Sequence, residues 1–91
     1  MCTIDYEARR RRLRISGRCG SHDDAAAIRD AIDTFSRKGD TLILDLTALT
    51  DLSGDVATAI VEAGNEVACD VTVLRKHGTE VDRMLTEAIS S

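Results

Sequence analysis

Between Thr41 and Ala63 the sequence reads TLILDLTALTDLSGDVATAIVEA. The apolar run Leu42, Ile43, Leu44 lacks polar alternation, as a strand covered on both faces does, and at Asp45 it gives way to a polar loop. The loop ends in Ser53, Gly54 and Asp55, where apolar residues resume at helical spacing. This predicts a buried strand feeding a helix start. Such a start carries unpaired backbone N–H groups and the positive end of a helix dipole, both of which favour negative charge.

Elements before and after this stretch follow from the same periodicities. Ile4 and Tyr6, then Leu13 and Ile15, alternate in two short segments, Thr3 to Tyr6 and Leu13 to Ser16, across the polar turn Glu7 to Arg12, a hairpin pattern. Gly17 to Gly20 reads as a loop. Ala25, Ile28, Ala31, Ile32 and Phe35 make one helical stripe. Ser21 and Asp24 resemble a capping box at its start, and Arg37, Lys38 and Gly39 close it. Val56, Ile60, Val61, Gly64 and Val67 continue from the junction as a second helix. Val71, Val73 and Leu74 form a further strand. Val81, Met84, Leu85, Ala88 and Ile89 lie at i, i+3, i+4, i+7 and i+8, with Thr79 as N-cap and Asp82 three residues on. The predicted fold is an α/β domain over residues 1–91, with about four strands in a mixed sheet, helices packed on it and the order ββαβαβα.

Composition removes several function classes. Tyr6 and Phe35 are the only aromatic residues, too few for a stacking platform for single strands. The first 20 residues hold six arginines against Asp5 and Glu7, whereas the rest holds six basic and fourteen acidic residues. That acidic body argues against a phosphate-tracking DNA binder and leaves the run Arg9, Arg10, Arg11, Arg12 and Arg14 as a solvated hairpin tip that discourages edge pairing. No nucleic-acid or membrane partner is expected. Cys2, Cys19 and Cys69 are odd in number and form no close pair, which suits unpaired thiols in a cytoplasmic protein.

Catalytic and metal signatures fail on spacing. The loop Thr47 to Asp55 has one glycine and no lysine, so it is not a phosphate-binding loop, and Leu52 precedes Ser53 where a nucleophile elbow needs glycine. Cys19 and His22 have a Cys-x-x-His spacing, yet further metal ligands are missing, and Cys19 is expected to be a packing residue. Asp45, Asp51 and Asp55 could be paired carboxylates, but no base accompanies them, and helix-flanking and turn roles account for Asp55 and Asp51. Neither an enzyme, a cofactor nor a metal is expected. The loop suits a charge-changing event instead: a phosphate on Ser53 would bring nearly two negative charges to a helix start.

Leu42 to Ala63 resembles the core pattern of the STAS domain family, the bacterial anti-sigma factor antagonists: a hydrophobic strand, Asp, Leu, a small polar residue, a short loop, then Asp, Ser, Ser, Gly opening an apolar helix. Leu13 to Ile32, LRISGRCGSHDDAAAIRDAI, is similar to the family's strand, Gly, loop and Ala-rich helix. The resemblance implies a non-enzymatic regulator of transcription that docks an anti-sigma factor, itself a serine kinase, through Asp51, Ser53, Gly54, Asp55 and Thr58. It also implies a phosphoacceptor serine at the helix start. Counted without gaps from Asp45, the acceptor position falls on Gly54 and the second serine on Asp55, which makes this a non-phosphorylatable variant with a standing charge. The uninterrupted match of Ala57, Ile60, Val61 and Ala63 favours that count. A loop one residue shorter makes Ser53 the acceptor, with Thr50 and Thr58 as weaker candidates. The family's acidic residue after the second strand is replaced by Gly20. Alternatives outside this reading are a small-ligand or nucleotide sensor using the helix start at Gly54, and an assembly scaffold.

Overall fold

The computed structural model of the chain describes residues 1–90. Its elements run β1 (Cys2–Glu7), β2 (Arg12–Cys19), α1 (His22–Ser36), β3 (Thr41–Asp45), β4 (Leu49–Leu52), α2 (Gly54–Glu66), β5 (Asp70–Leu74) and α3 (Glu80–Ser90). The five strands form one mixed sheet. β1 lies antiparallel to β2, and the remaining pairs, β2 with β3, β2 with β4 and β3 with β5, are parallel. β3 pairs with Arg12–Arg14 and β4 with Gly17–Cys19, so these two strands occupy successive halves of one lane beside β2. The sheet therefore reads β1, β2, β3 with β4, then β5.

The predicted order of strands and helices holds, with one strand added. Leu46 to Ser53, expected to be loop throughout, contains β4, because Leu49 and Leu52 bury their side chains while their backbone pairs with the second half of β2. For the same reason β2 does not stop at Ser16 but continues to Cys19 through a register shift at Gly17. Gly17 has φ +84°, a backbone that L side chains rarely adopt, and the carbonyl of Met1 occupies the space where a Cβ would stand.

Strand register sorts the side chains onto two faces. Ile4 lies opposite Ile15, Tyr6 opposite Leu13, and Leu42 and Leu44 are level with Val71 and Val73. Leu13, Ile15, Leu42 and Leu44 are buried together with Ile28, Ile32, Val56, Ile60, Val81 and Leu85 from the helices. Each such side chain contributes about 1.5–3 kcal/mol when fully buried. Tyr6 stacks on Phe35 with ring centroids 4.0 Å apart, fastening β1 to α1. The other face carries Asp5, Arg14, Thr41 and Thr72, all exposed. β3 is thus covered on one face and not on both as its unbroken apolar run suggested: Ile43 is only half-buried, level with Arg12 and Thr72.

Three local readings change. The cysteines are not all unpaired: Cys2 and Cys19 form a disulfide with Cα atoms 4.9 Å apart, and Cys69 is free. Sequence separation hid this pair, because the hairpin register places Cys2 opposite Gly17 and so beside Cys19. The arginine run is not simply a solvated tip. Arg10 pairs with Glu7 at 3.2 Å, Arg12 reaches Glu7 at 3.4 Å and Asp45 at 3.7 Å, and Arg11 donates from Nε to the Thr41 carbonyl at 2.7 Å. Gly39, finally, is not the left-handed residue that ends α1. Arg37 is the C-cap, and Gly39 leaves room for the Arg11 guanidinium, which lies where a Cβ would be.

Candidate functional site

Two strand-to-helix junctions sit side by side at one end of the sheet. β2 leads into α1 through Gly20 and Ser21, and β4, paired with β2, leads into α2 through Ser53. The Ser53 N–H donates to the Cys19 carbonyl at 3.2 Å, and a Cβ placed on Gly20 would lie 3.9 Å from that of Ser53. Parallel pairing of β2 with β4 forces this arrangement, since parallel strands present their C-terminal ends, and the helices that follow, on the same edge.

Each helix start is capped by its own serine. Ser53 has extended backbone (φ −85°, ψ 163°), and its Oγ accepts the Val56 N–H at 3.2 Å. At α1 the predicted capping box is present: Ser21 Oγ accepts the Asp24 N–H at 3.0 Å, and Asp24 Oδ2 accepts the N–H groups of Ser21 and Gly20 at 3.2 and 3.1 Å. The backbone N–H of Ser21, with further help from Gly20 and the Ser21 hydroxyl, holds the Asp24 carboxyl below the ordinary aspartate range.

The five residues singled out from the sequence sort by exposure. Gly54, Asp55 and Thr58 are exposed on the first turns of α2, and Ser53 is half-buried beneath them. Asp51 is exposed on β4, where its Oδ1 accepts the N–H of Leu52 at 2.9 Å. The surface around them also includes Gly20 and Ser21 from the other junction and Met84 of α3, whose Cε would lie 3.9 Å from a Cβ on Gly54. Sequence reasoning treated these three apart from the Ser53 loop. The available signal was the strand-helix repeat itself, which in a parallel sheet brings both junctions to one edge.

The alternative chemistries find no support in the geometry. Asp45 is buried at 5% exposure and bound to Thr47, with its Oδ1 accepting the hydroxyl at 2.6 Å and the N–H at 3.0 Å. Burial pushes its carboxyl up, but the Thr47 bonds and the charges of Arg12 and Arg14 outweigh this and leave it below the ordinary range. No hydrogen bond or ion pair joins Asp45, Asp51 and Asp55 among the described residues. Cys19 is fully buried in its disulfide while His22 is exposed, so they form no nucleophile and base pair. Among the described residues no group of three or more His, Cys, Asp or Glu side chains is placed to hold a metal ion, and no helix is long and apolar enough to cross a membrane.

No family model and no curated protein sequence matches the chain. Among solved structures, the anti-sigma factor antagonist SpoIIAA in its unphosphorylated form is similar with a TM-score of 0.55, at 17% identity over 99% of this chain and 96% of that one. The agreement extends along nearly the whole length of both chains, and with the mixed sheet and three helices it gives this protein the STAS fold of that antagonist.

Proposed function

We propose that the protein is a non-enzymatic regulatory module that docks an anti-sigma factor of the serine-kinase type through Asp51, Ser53, Gly54, Asp55 and Thr58. The observation that carries this reading is the pairing of two capped helix starts on one sheet edge, in a fold shared with an anti-sigma factor antagonist. Exposed loop residues held by a rigid strand and helix make a specific docking surface without any catalytic group. Asp55 supplies a standing negative charge at the position of the second serine, and Gly54 stands where the acceptor would be. ATP belongs to the partner, and the cytoplasm, where ATP is available, is the proposed compartment. Cys2 and Cys19 would be thiols in that reducing setting and would join on oxidation.

Mixing the purified chain with purified kinase-type anti-sigma factors, followed by size-exclusion chromatography, tests the docking. A complex weakened by Asp55→Ala and by Ser53→Asp is expected. Absence of any complex, or a complex indifferent to both substitutions, overturns the reading. Intact-mass measurement after incubation with the partner and ATP separates the two alignments. An unchanged mass agrees with Gly54 at the acceptor position, and a gain of one phosphate on Ser53 replaces it with the shorter-loop alignment.

A further inference from the structure

β5 is an edge strand that pairs only with β3 among the described residues. Its sequence, Asp70-Val-Thr-Val-Leu74, contains neither proline nor a charged side chain between its ends. The opposite edge, β1, is protected by Asp5 and Glu7 and by the arginine turn that follows. Among the described residues the exposed large apolar side chains are Met1, Val73, Leu74 and Ile89, and the last three lie on β5 and α3. Val71, Val73, Leu85 and Ile89 line an open, mainly apolar groove of about 250 Å³ between β5, α2 and α3, with Asn65 and Arg75 also in its lining.

Hydrogen bonding fixes which backbone groups are free. Asp70 donates its N–H to the Asp40 carbonyl at 2.9 Å, and the Leu74 carbonyl accepts the Leu46 N–H at 2.8 Å. Asp70, Thr72 and Leu74 therefore direct their backbone groups toward β3, and Val71 and Val73 direct theirs outward. We infer that this edge pairs antiparallel with β5 of a second copy of the chain, about a two-fold axis at Thr72. Val71 then faces Val73 of the second copy and the reverse, and these two pairs exchange four backbone hydrogen bonds. Every outward group of the two valines is satisfied in that register.

The side chains make the strand its own complement. On the helix-covered face Val71 and Val73 meet their counterparts and extend the apolar groove across the axis. On the other face Thr72 meets its own counterpart and Asp70 faces Leu74 of the second copy, so the register sets no like charges opposite each other. An interface built on five residues and the lips of a groove falls below about 1,200 Å², the range of weak and reversible association. It shares no residue with the surface around Ser53.

Sedimentation velocity from low-micromolar to millimolar concentration tests the pairing. The wild-type chain is expected to rise toward the mass of a dimer. Val73→Lys, checked for an intact fold by its thermal melt, is expected to weaken association by at least about tenfold, since a charge on the edge opposes pairing. A second variant does not depend on that substitution. Thr72→Cys in a Cys69→Ser background is expected to cross-link into a dimer with diamide, as two thiols lose two protons and two electrons to the diamide and one S–S bond forms. Thr34→Cys in the same background, on α1, serves as the control. A wild-type chain that stays monomeric throughout, a Val73→Lys dimer as tight as wild type, or Thr34→Cys linking as readily as Thr72→Cys overturns the inference.

Discussion

The Oγ of Ser53 accepts one backbone hydrogen bond, from Val56, and this bond determines what a substitution there reports. Ser53→Ala removes the cap and is expected to cost about 1 kcal/mol in urea unfolding. Ser53→Asp keeps an N-cap acceptor and adds the negative charge that a helix start favours, so its unfolding midpoint should stay close to that of the wild type. The pair of variants separates stability from docking: a Ser53→Asp protein that folds normally but loses its partner has lost a surface, not a fold. Ser21 stands in the same relation to α1, where the reciprocal bonds of Asp24 already complete the cap.

β1 reaches the rest of the sheet through β2, and two devices fasten it. One is the stack of Tyr6 on Phe35, and the other is the disulfide from Cys2 to Cys19. The bridge spans a sequence separation of 17, and closing a loop of that length stabilises by about 3 kcal/mol in the chain-entropy treatment. Reduction, or Cys2→Ser, is therefore expected to lower the unfolding free energy by about that amount, measured by urea titration with and without reductant. Cys19 also gives its carbonyl to the N–H of Ser53, so the pairing that fixes the hairpin is continuous with the junction that presents the candidate site.

Across the whole molecule, acid stability depends on carboxylates bound more tightly in the folded state. Asp24 and Asp45 both titrate below their ordinary value when folded. As pH falls, the unfolded chain takes up protons first, near about pH 4, which favours unfolding. Their contribution is fully present above about pH 5 and is lost as pH falls through the lowered folded values. Urea midpoints should therefore fall between about pH 6 and about pH 3, and Asp45→Asn should flatten that dependence. A midpoint unchanged by acid would contradict the roles given to Thr47 and Arg12 beside Asp45.

Periodicity determined the helices, because each is a local pattern: the stripe of α1 with its Ser21 and Asp24 box, and the stripe of α3 with Thr79 accepting the Asp82 N–H at 3.2 Å, were legible before any contact was known. The same holds for the apolar faces of the hairpin and for the helix start at Ser53. What lay out of reach depends on pairing between distant segments. β4 exists because Leu49 to Leu52 meet the far half of β2, and Leu-Thr-Asp-Leu alone is too short to declare a strand. Cys2 reaches Cys19, Arg11 reaches Thr41, and the Gly20 junction lies against Ser53 for one reason: sheet register joins residues that the chain keeps far apart. Sequence alone placed a helix start at Ser53, and tertiary structure made it one of two adjacent helix starts on a single edge.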